Sequence, residues 1–198
     1  MPSSVVITAP DYASAPVLSL AEAKSYLKVP YDDEDDLIET LIAALAEQTE
    51  SMLQRALRPQ TRELRLDGFP CGAITLDYPP LIGVESLTYV DGDGEIRMMV
   101  EGADFRVLDN GEWPAEIAPS FGRSWPAARA DERSVLVRYQ CGYDPDAEGG
   151  DSLPKRIKAR LHLALGALFD VRAEFVTGTI VAKLPDHILN MLAPLKVY

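Results

Sequence analysis

Leu18 to Pro59 reads L-S-L-A-E-A-K-S-Y-L-K-V-P-Y-D-D-E-D-D-L-I-E-T-L-I-A-A-L-A-E-Q-T-E-S-M-L-Q-R-A-L-R-P, two helices with an acidic joint. Ser19 followed three residues later by Glu22 is a capping box, so a helix is expected over 19–28. It stops there because Pro30 turns Val29 away from helical geometry. A longer helix is expected over 33–57. Leu37, Ile38, Leu41, Ile42, Leu45, Met52, Leu53 and Ala56 recur at three and four along one stripe.

Outward from this block the pattern changes. After Pro59 the period falls from 3.6 to 2, and a β-rich insert is expected over 61–141. T-R-E-L-R-L-D-G, Ala73–Asp77, Val84–Val90, Glu95–Val100, Phe105–Leu108 and Ser134–Gln140 read as antiparallel strands. Asp91-Gly92-Asp93-Gly94 is hairpin chemistry between two of them. Between them, 110–133 carries Trp113-Pro114 and Trp125-Pro126 without periodicity and reads as a long loop held down by its aromatic residues. Asp144–Ser152 is an acidic linker, and Pro154 is suited to open a third helix over 154–172. A short last helix is expected over 186–192.

The fold class is therefore α+β: an N-terminal two-helix block, a central antiparallel β-rich segment, and C-terminal helices with extended terminal arms. Residues 1–17, punctuated by Pro2, Pro10 and Pro16, form an N-terminal arm; its extended piece Val5–Thr8 has no obvious partner. Residues 18–193 form a single domain and 194–198 a tail.

The chain has 198 residues, 47% of them hydrophobic, enough for a core and ordinary for a globular protein. Its net charge of −12 argues against a general DNA-binding surface, although an acidic wall lets DNA pass without sticking. No basic leader opens the sequence, and no run approaches the roughly 20 apolar residues of a membrane helix. Synthesis in the cytoplasm, with no membrane contact, is the expectation. Cys71 and Cys141 are far apart and are expected to be free thiols.

Catalysis is poorly served. The two histidines, His162 and His187, sit near no nucleophile motif, and G-x-S-x-G, P-loop, H-E-x-x-H and paired C-x-x-C patterns are absent. The run Asp32–Asp36 suits a helix N-terminus better than a metal, since adjacent carboxylates do not converge. No enzyme activity, cofactor or metal is expected. Lys155, Arg156, Lys158 and Arg160 are less easily explained. Four cations in the first two turns of a helix oppose its dipole. They read either as a solvated face paired with acids of Asp144–Asp151, or as a contact with DNA phosphates or an acidic neighbouring subunit. The end, Pro194, Leu195, Lys196, Val197 and Tyr198, is apolar for a terminus and suits strand addition to a partner, or tucking against its own sheet.

The order of these parts resembles the head–tail connector (adaptor) proteins of long-tailed phages and of phage-derived gene transfer agents. The resemblance rests on V-L-S-L-A-E-A-K-S-Y-L-K-V and on D-D-E-D-D-L-I-E-T-L-I-A-A-L-A-E-Q-T-E-S-M-L-Q-R-A-L. It continues through T-R-E-L-R-L-D-G-F-P, P-P-L-I-G-V-E-S-L-T-Y-V-D, F-G-R-S-W-P, V-R-Y-Q-C-G-Y, L-P-K-R-I-K-A-R-L and L-A-P-L-K-V-Y. It implies a homo-oligomeric ring, commonly a dodecamer, in the neck of a virion or virion-like particle. The portal protein would lie on one side and the stopper (head-closure) protein on the other, with DNA crossing the channel. On that footing 194–198 is expected to dock on the portal. A stopper or tail terminator, or a small cytosolic accessory domain, are the alternatives.

Overall fold

The computed structural model of the chain describes residues 4–148, 150–171 and 195–196. Three helices and eight strands are found among them. In order they are β1 (Ser4–Thr8), α1 (Leu20–Leu27), α2 (Asp35–Leu53), β2 (Gln60–Leu66), β3 (Ile74–Thr75), β4 (Leu81–Val90), β5 (Ile96–Met99), β6 (Phe105–Leu108), β7 (Glu116–Pro119), β8 (Val135–Cys141) and α3 (Lys155–Val171). The expected α+β class is found. The last helix expected over 186–192 lies outside the described residues.

Contacts divide the chain into two compact units, one built from residues 4–10 and 54–143, the other from 11–53, 144–171 and 195–196. The β-rich insert and the N-terminal strand make up the first unit, the helices the second.

In the helical unit, the capping box forms as the sequence requires. Glu22 N donates to Ser19 Oγ at 3.2 Å, and Ser19 N donates to Glu22 Oε2 at 3.0 Å. Hydrogen bonding to Ser19 holds the Glu22 carboxyl below its ordinary range. Lys28 closes α1 in the left-handed region, φ 58° and ψ 38°. Lys24 then reaches across the joint, its Nζ 2.5 Å from Asp32 Oδ1 and 2.7 Å from Asp35 Oδ1. These bonds, to Asp32 first, raise the Lys24 pKa. Helix α2 buries Ile38, Ile42, Leu45, Ala46, Thr49 and Leu53, at helical spacing. Helix α3 buries Ile157, Leu161, Ala164 and Leu165, and α1, α2 and α3 pack on one another.

Helix α2 ends at Leu53, four residues before the expected 57, because Gln54 takes φ 53°. The apolar spacing carries on only in sequence: Ala56 and Leu57 are fully buried, and Ala56 belongs to the core of the β-rich unit.

That unit holds a five-stranded antiparallel sheet, ordered β1-β2-β8-β4-β5, and a three-stranded one, ordered β3-β7-β6. Alternation is cleanest in β8, where Val135, Val137, Tyr139 and Cys141 are buried and Arg138 and Gln140 exposed. Directly paired residues share a face. Thus Leu64 and Leu87 flank Val137 in the core, joined there by Ile74, Leu76, Phe105 and Ile117.

Two segments acquire partners that the sequence did not reveal. The N-terminal piece pairs antiparallel with β2, Ser4 opposite Leu64 and Val6 opposite Arg62. Within 110–133, Glu116–Pro119 forms β7 between β3 and β6. Trp125 does pack that loop down, stacked on Phe69 at 4.8 Å, with its Nε1 donating to Gly72 O at 2.8 Å. Trp113 stays half exposed, 5.8 Å from the Arg55 guanidinium.

Candidate functional site

The four cations of α3 do not share one surface. Lys155 and Arg156 are exposed. Lys158 is tied to Asp151, 2.9 Å away, one of the acids the sequence offered as a partner. Arg160 is buried, with only 6% of its surface exposed. Its Nη1 donates to Thr49 Oγ1 at 3.3 Å and its Nη2 lies 3.7 Å from Met52 Sδ, both on α2. Its Nε has no hydrogen-bond partner, and burial lowers its pKa. A signal for this was present in the sequence. Arg160 lies three residues after Ile157 and four before Ala164, on the apolar stripe itself.

Of the tail, Leu195 is buried and Lys196 exposed; Pro194, Val197 and Tyr198 lie outside the described residues. His187 does too. His162 sits beside Tyr26, ring centroids 5.1 Å apart, its Nδ1 2.9 Å from Lys158 O. Neither cysteine is in a disulfide; Cys71 is exposed and Cys141 buried. Asp91 acts as a turn residue: its Oδ1 accepts from Asp93 N and Glu95 N at 3.0 Å, and its Oδ2 from Arg97 Nε at 2.8 Å. The Arg97 bond is the main reason its carboxyl is held below the usual range. Among the described residues, no cluster of three metal-binding side chains occurs and no helix is long and apolar enough to cross a membrane.

Sequence reading missed the outward face of the five-stranded sheet and its two edges. At the centre of that face Glu63 accepts from Arg65 Nε at 2.8 Å and Arg138 Nη2 at 2.9 Å. Burial alone would raise the Glu63 pKa; the two guanidinium groups outweigh it and hold the carboxyl low. Toward the edges the face turns apolar. Val5 lies opposite Glu63, and so on the outward side, and is 45% exposed. On the far edge Ile96 and Met98, opposite Val90 and Thr88, are 75% and 69% exposed.

Strand β1 is latched at one end. Ser4 N donates to Asp77 Oδ2 at 3.0 Å, Arg62 Nε to Ser4 Oγ at 2.5 Å and Arg62 Nη2 to Ser4 O at 3.2 Å. Tyr139 Oη donates to the other Asp77 carboxylate oxygen and to Asp77 O. Burial first, and the neighbouring Asp77 charge second, push the Tyr139 phenol well above its ordinary pKa.

Residues 17–76, which span α1, α2 and the strands as far as β3, match the model of the phage gp6-like head-tail connector protein family. That likeness is confined to this stretch. It includes the capping box, the acidic joint and the α2 stripe, the same residues on which the resemblance was read. Solved structures extend the likeness in fold to nearly the whole chain. A chain from the virion of a native gene transfer agent particle is 18% identical, with TM-score 0.75 over 98% of this chain and 95% of that one. A chain from the neck of an empty particle, computed with C6 symmetry, is 16% identical with TM-score 0.73 and the same coverage. Another, from the neck of a native particle computed with C12 symmetry, is 19% identical with TM-score 0.70, again over 98% and 95%. Among curated proteins, none matches the chain.

Proposed function

We propose that this chain is the head–tail connector (adaptor) subunit of a phage or gene-transfer particle. It forms a ring, with twelve copies the favoured number, between the portal and the stopper, and DNA crosses the channel without sequence-specific contact. It is a structural protein of the particle neck, made in the bacterial cytoplasm, and not an enzyme.

One observation carries this reading. A connector signature over residues 17–76 coincides, in the same chain, with the fold of chains from gene transfer agent particles over 98% of its length. Charge supports it. Twelve copies at −12 each carry −144, a wall along which a polyanion slides without adhering. Lys155 and Arg156, exposed on α3, are the cations left for DNA or an acidic neighbour. The 194–198 tail is proposed as the portal contact. Because Leu195 is buried, that contact falls to Lys196 and the residues flanking the pair, or requires Leu195 to be withdrawn.

Deletion of the gene from a particle-producing genome tests the reading. Heads and tails that both form but do not join, with joining restored by the gene in trans, are the expected outcome. Normal, fully joined particles would overturn it.

A further inference from the structure

We propose that neighbouring copies of this chain join edge to edge, β5 of one subunit alongside β1 of the next and running parallel to it, so that the five-stranded sheets continue around the ring. This rests on the adaptor reading above and specifies its subunit contact.

Three observations point to it. First, among the described residues β1 and β5 are the two edges of one sheet, and both are poorly defended. Strand β1 (S-V-V-I-T) holds no charge and no proline; Ser4 N–H and C=O already bind Asp77 and Arg62, and the bulge follows Val6, so the open edge begins at Val5. The single charge of β5, Arg97, is occupied by Asp91 in the adjoining turn. Backbone N–H and C=O groups along such edges are a template for another strand.

Second, the sides match. Val5 on one edge and Ile96 with Met98 on the other lie on the same outward face, with the Glu63–Arg65–Arg138 network between them. When one sheet continues into the next, Ile96 and Met98 come beside the following subunit's Val5, and apolar surface covers apolar surface.

Third, the direction fits rotation. Four antiparallel pairings separate β1 from β5, so the two edge strands point the same way. A rotation of about 30°, as twelve-fold closure requires, nearly preserves strand direction and yields a parallel joint that is heterologous and closes. A two-fold axis would instead pair β1 with β1, antiparallel.

The size of the joint also selects the occupant. Strands of five and four residues bury far less than the roughly 800 Å² per partner of a stable complex. Such a joint does not sustain a dimer in solution. It suits copies already held side by side on a common platform, each contributing one donor edge and one acceptor edge.

Cysteine pairs test this in the full-length protein, with Cys71→Ser removing the exposed thiol. Met98→Cys is combined in turn with Val5→Cys and with Ile7→Cys, since strands about 4.8 Å apart fall within disulfide reach. The variants are assembled on purified portal rings, imaged, oxidised and run without reductant. The expected result is a ladder at multiples of 21.7 kDa for a double variant and none for any single variant. Met98→Lys, at a position 69% exposed, should leave the monomer folded and reduce ring yield about tenfold or more. A dimer from Val5→Cys alone would overturn the proposal in favour of a two-fold contact. Rings visible by microscopy without any ladder, and with Met98→Lys assembling normally, would overturn the joint while leaving the adaptor reading intact. Absence of rings with unmodified protein would overturn both.

Discussion

Arg160 separates folding from function in the cation cluster, and its replacement has a calculable outcome. Its guanidinium is buried against α2 with one long hydrogen bond, 3.3 Å to Thr49 Oγ1, and a sulfur contact at 3.7 Å. Donated by a charged guanidinium, such a bond contributes about 1.5–3 kcal/mol net at ordinary length, and less at 3.3 Å. Against it stands the desolvation of a cation that no acid among the described residues neutralises, a cost of several kcal/mol. Arg160→Met keeps the aliphatic volume and removes the charge, so stability should stay within about 1 kcal/mol of the parent, on the favourable side. Arg160→Glu leaves a carboxylate in the same place with only the Thr49 hydroxyl beside it, and should lose about 3–5 kcal/mol. Lys155→Glu and Arg156→Glu, at exposed positions, should shift stability by no more than about 0.5 kcal/mol. Urea unfolding at pH 7, followed by far-ultraviolet circular dichroism, reads all four. A loss above about 3 kcal/mol for Arg160→Met would instead make the guanidinium a net contributor to α2–α3 packing, the opposite of what its burial implies. The practical consequence concerns assembly assays. Reversing all four charges would report unfolding, so only Lys155 and Arg156 can test contact with DNA or a neighbour.

Two other perturbations follow from the β-rich unit. Glu63 titrates below its ordinary value when folded, so it adds stability above its unfolded pKa of about 4.3. That contribution disappears as pH falls through the lower folded value, and Glu63→Gln should flatten the acid limb of a stability–pH curve; an unchanged limb would contradict the Arg65–Arg138 geometry. Gly142 has φ +126°, and an added Cβ would lie 2.2 Å from Arg58 O and 2.4 Å from Arg58 C. Gly142→Ala should therefore cost about 3 kcal/mol or more, whereas Gly83→Ala, with nothing within 4 Å, should move the thermal midpoint little.

What could be read from the sequence was what is local. The Ser19–Glu22 box, the Asp91 turn and the Pro30 stop depend on residues within a few positions of one another and formed as expected, and the α2 stripe formed from Ile38 to Leu53. What was missed is non-local. Nothing near Val5 announces that its partner is Glu63, nor near Ile117 that it will face Ile74 and Val107. Helix α2 was read too long because Ala56 and Leu57 keep a helical spacing although they are buried outside a helix. Local composition also misled at the cation cluster. Counting charges grouped Arg160 with Lys155 and Arg156, while its register on α3 places it inward. The fold class and the resemblance to head–tail connectors were legible together because the family match lies in the segment where local signals are densest, 17–76.

The most direct test of the adaptor claim is co-sedimentation of the purified chain with portal rings from the same genome, imaged by electron microscopy. A second ring stacked on the tail-side end of the portal is expected, its copy number countable from symmetry averages. Portal rings that bind their other partners but remain bare in the presence of this chain would contradict it.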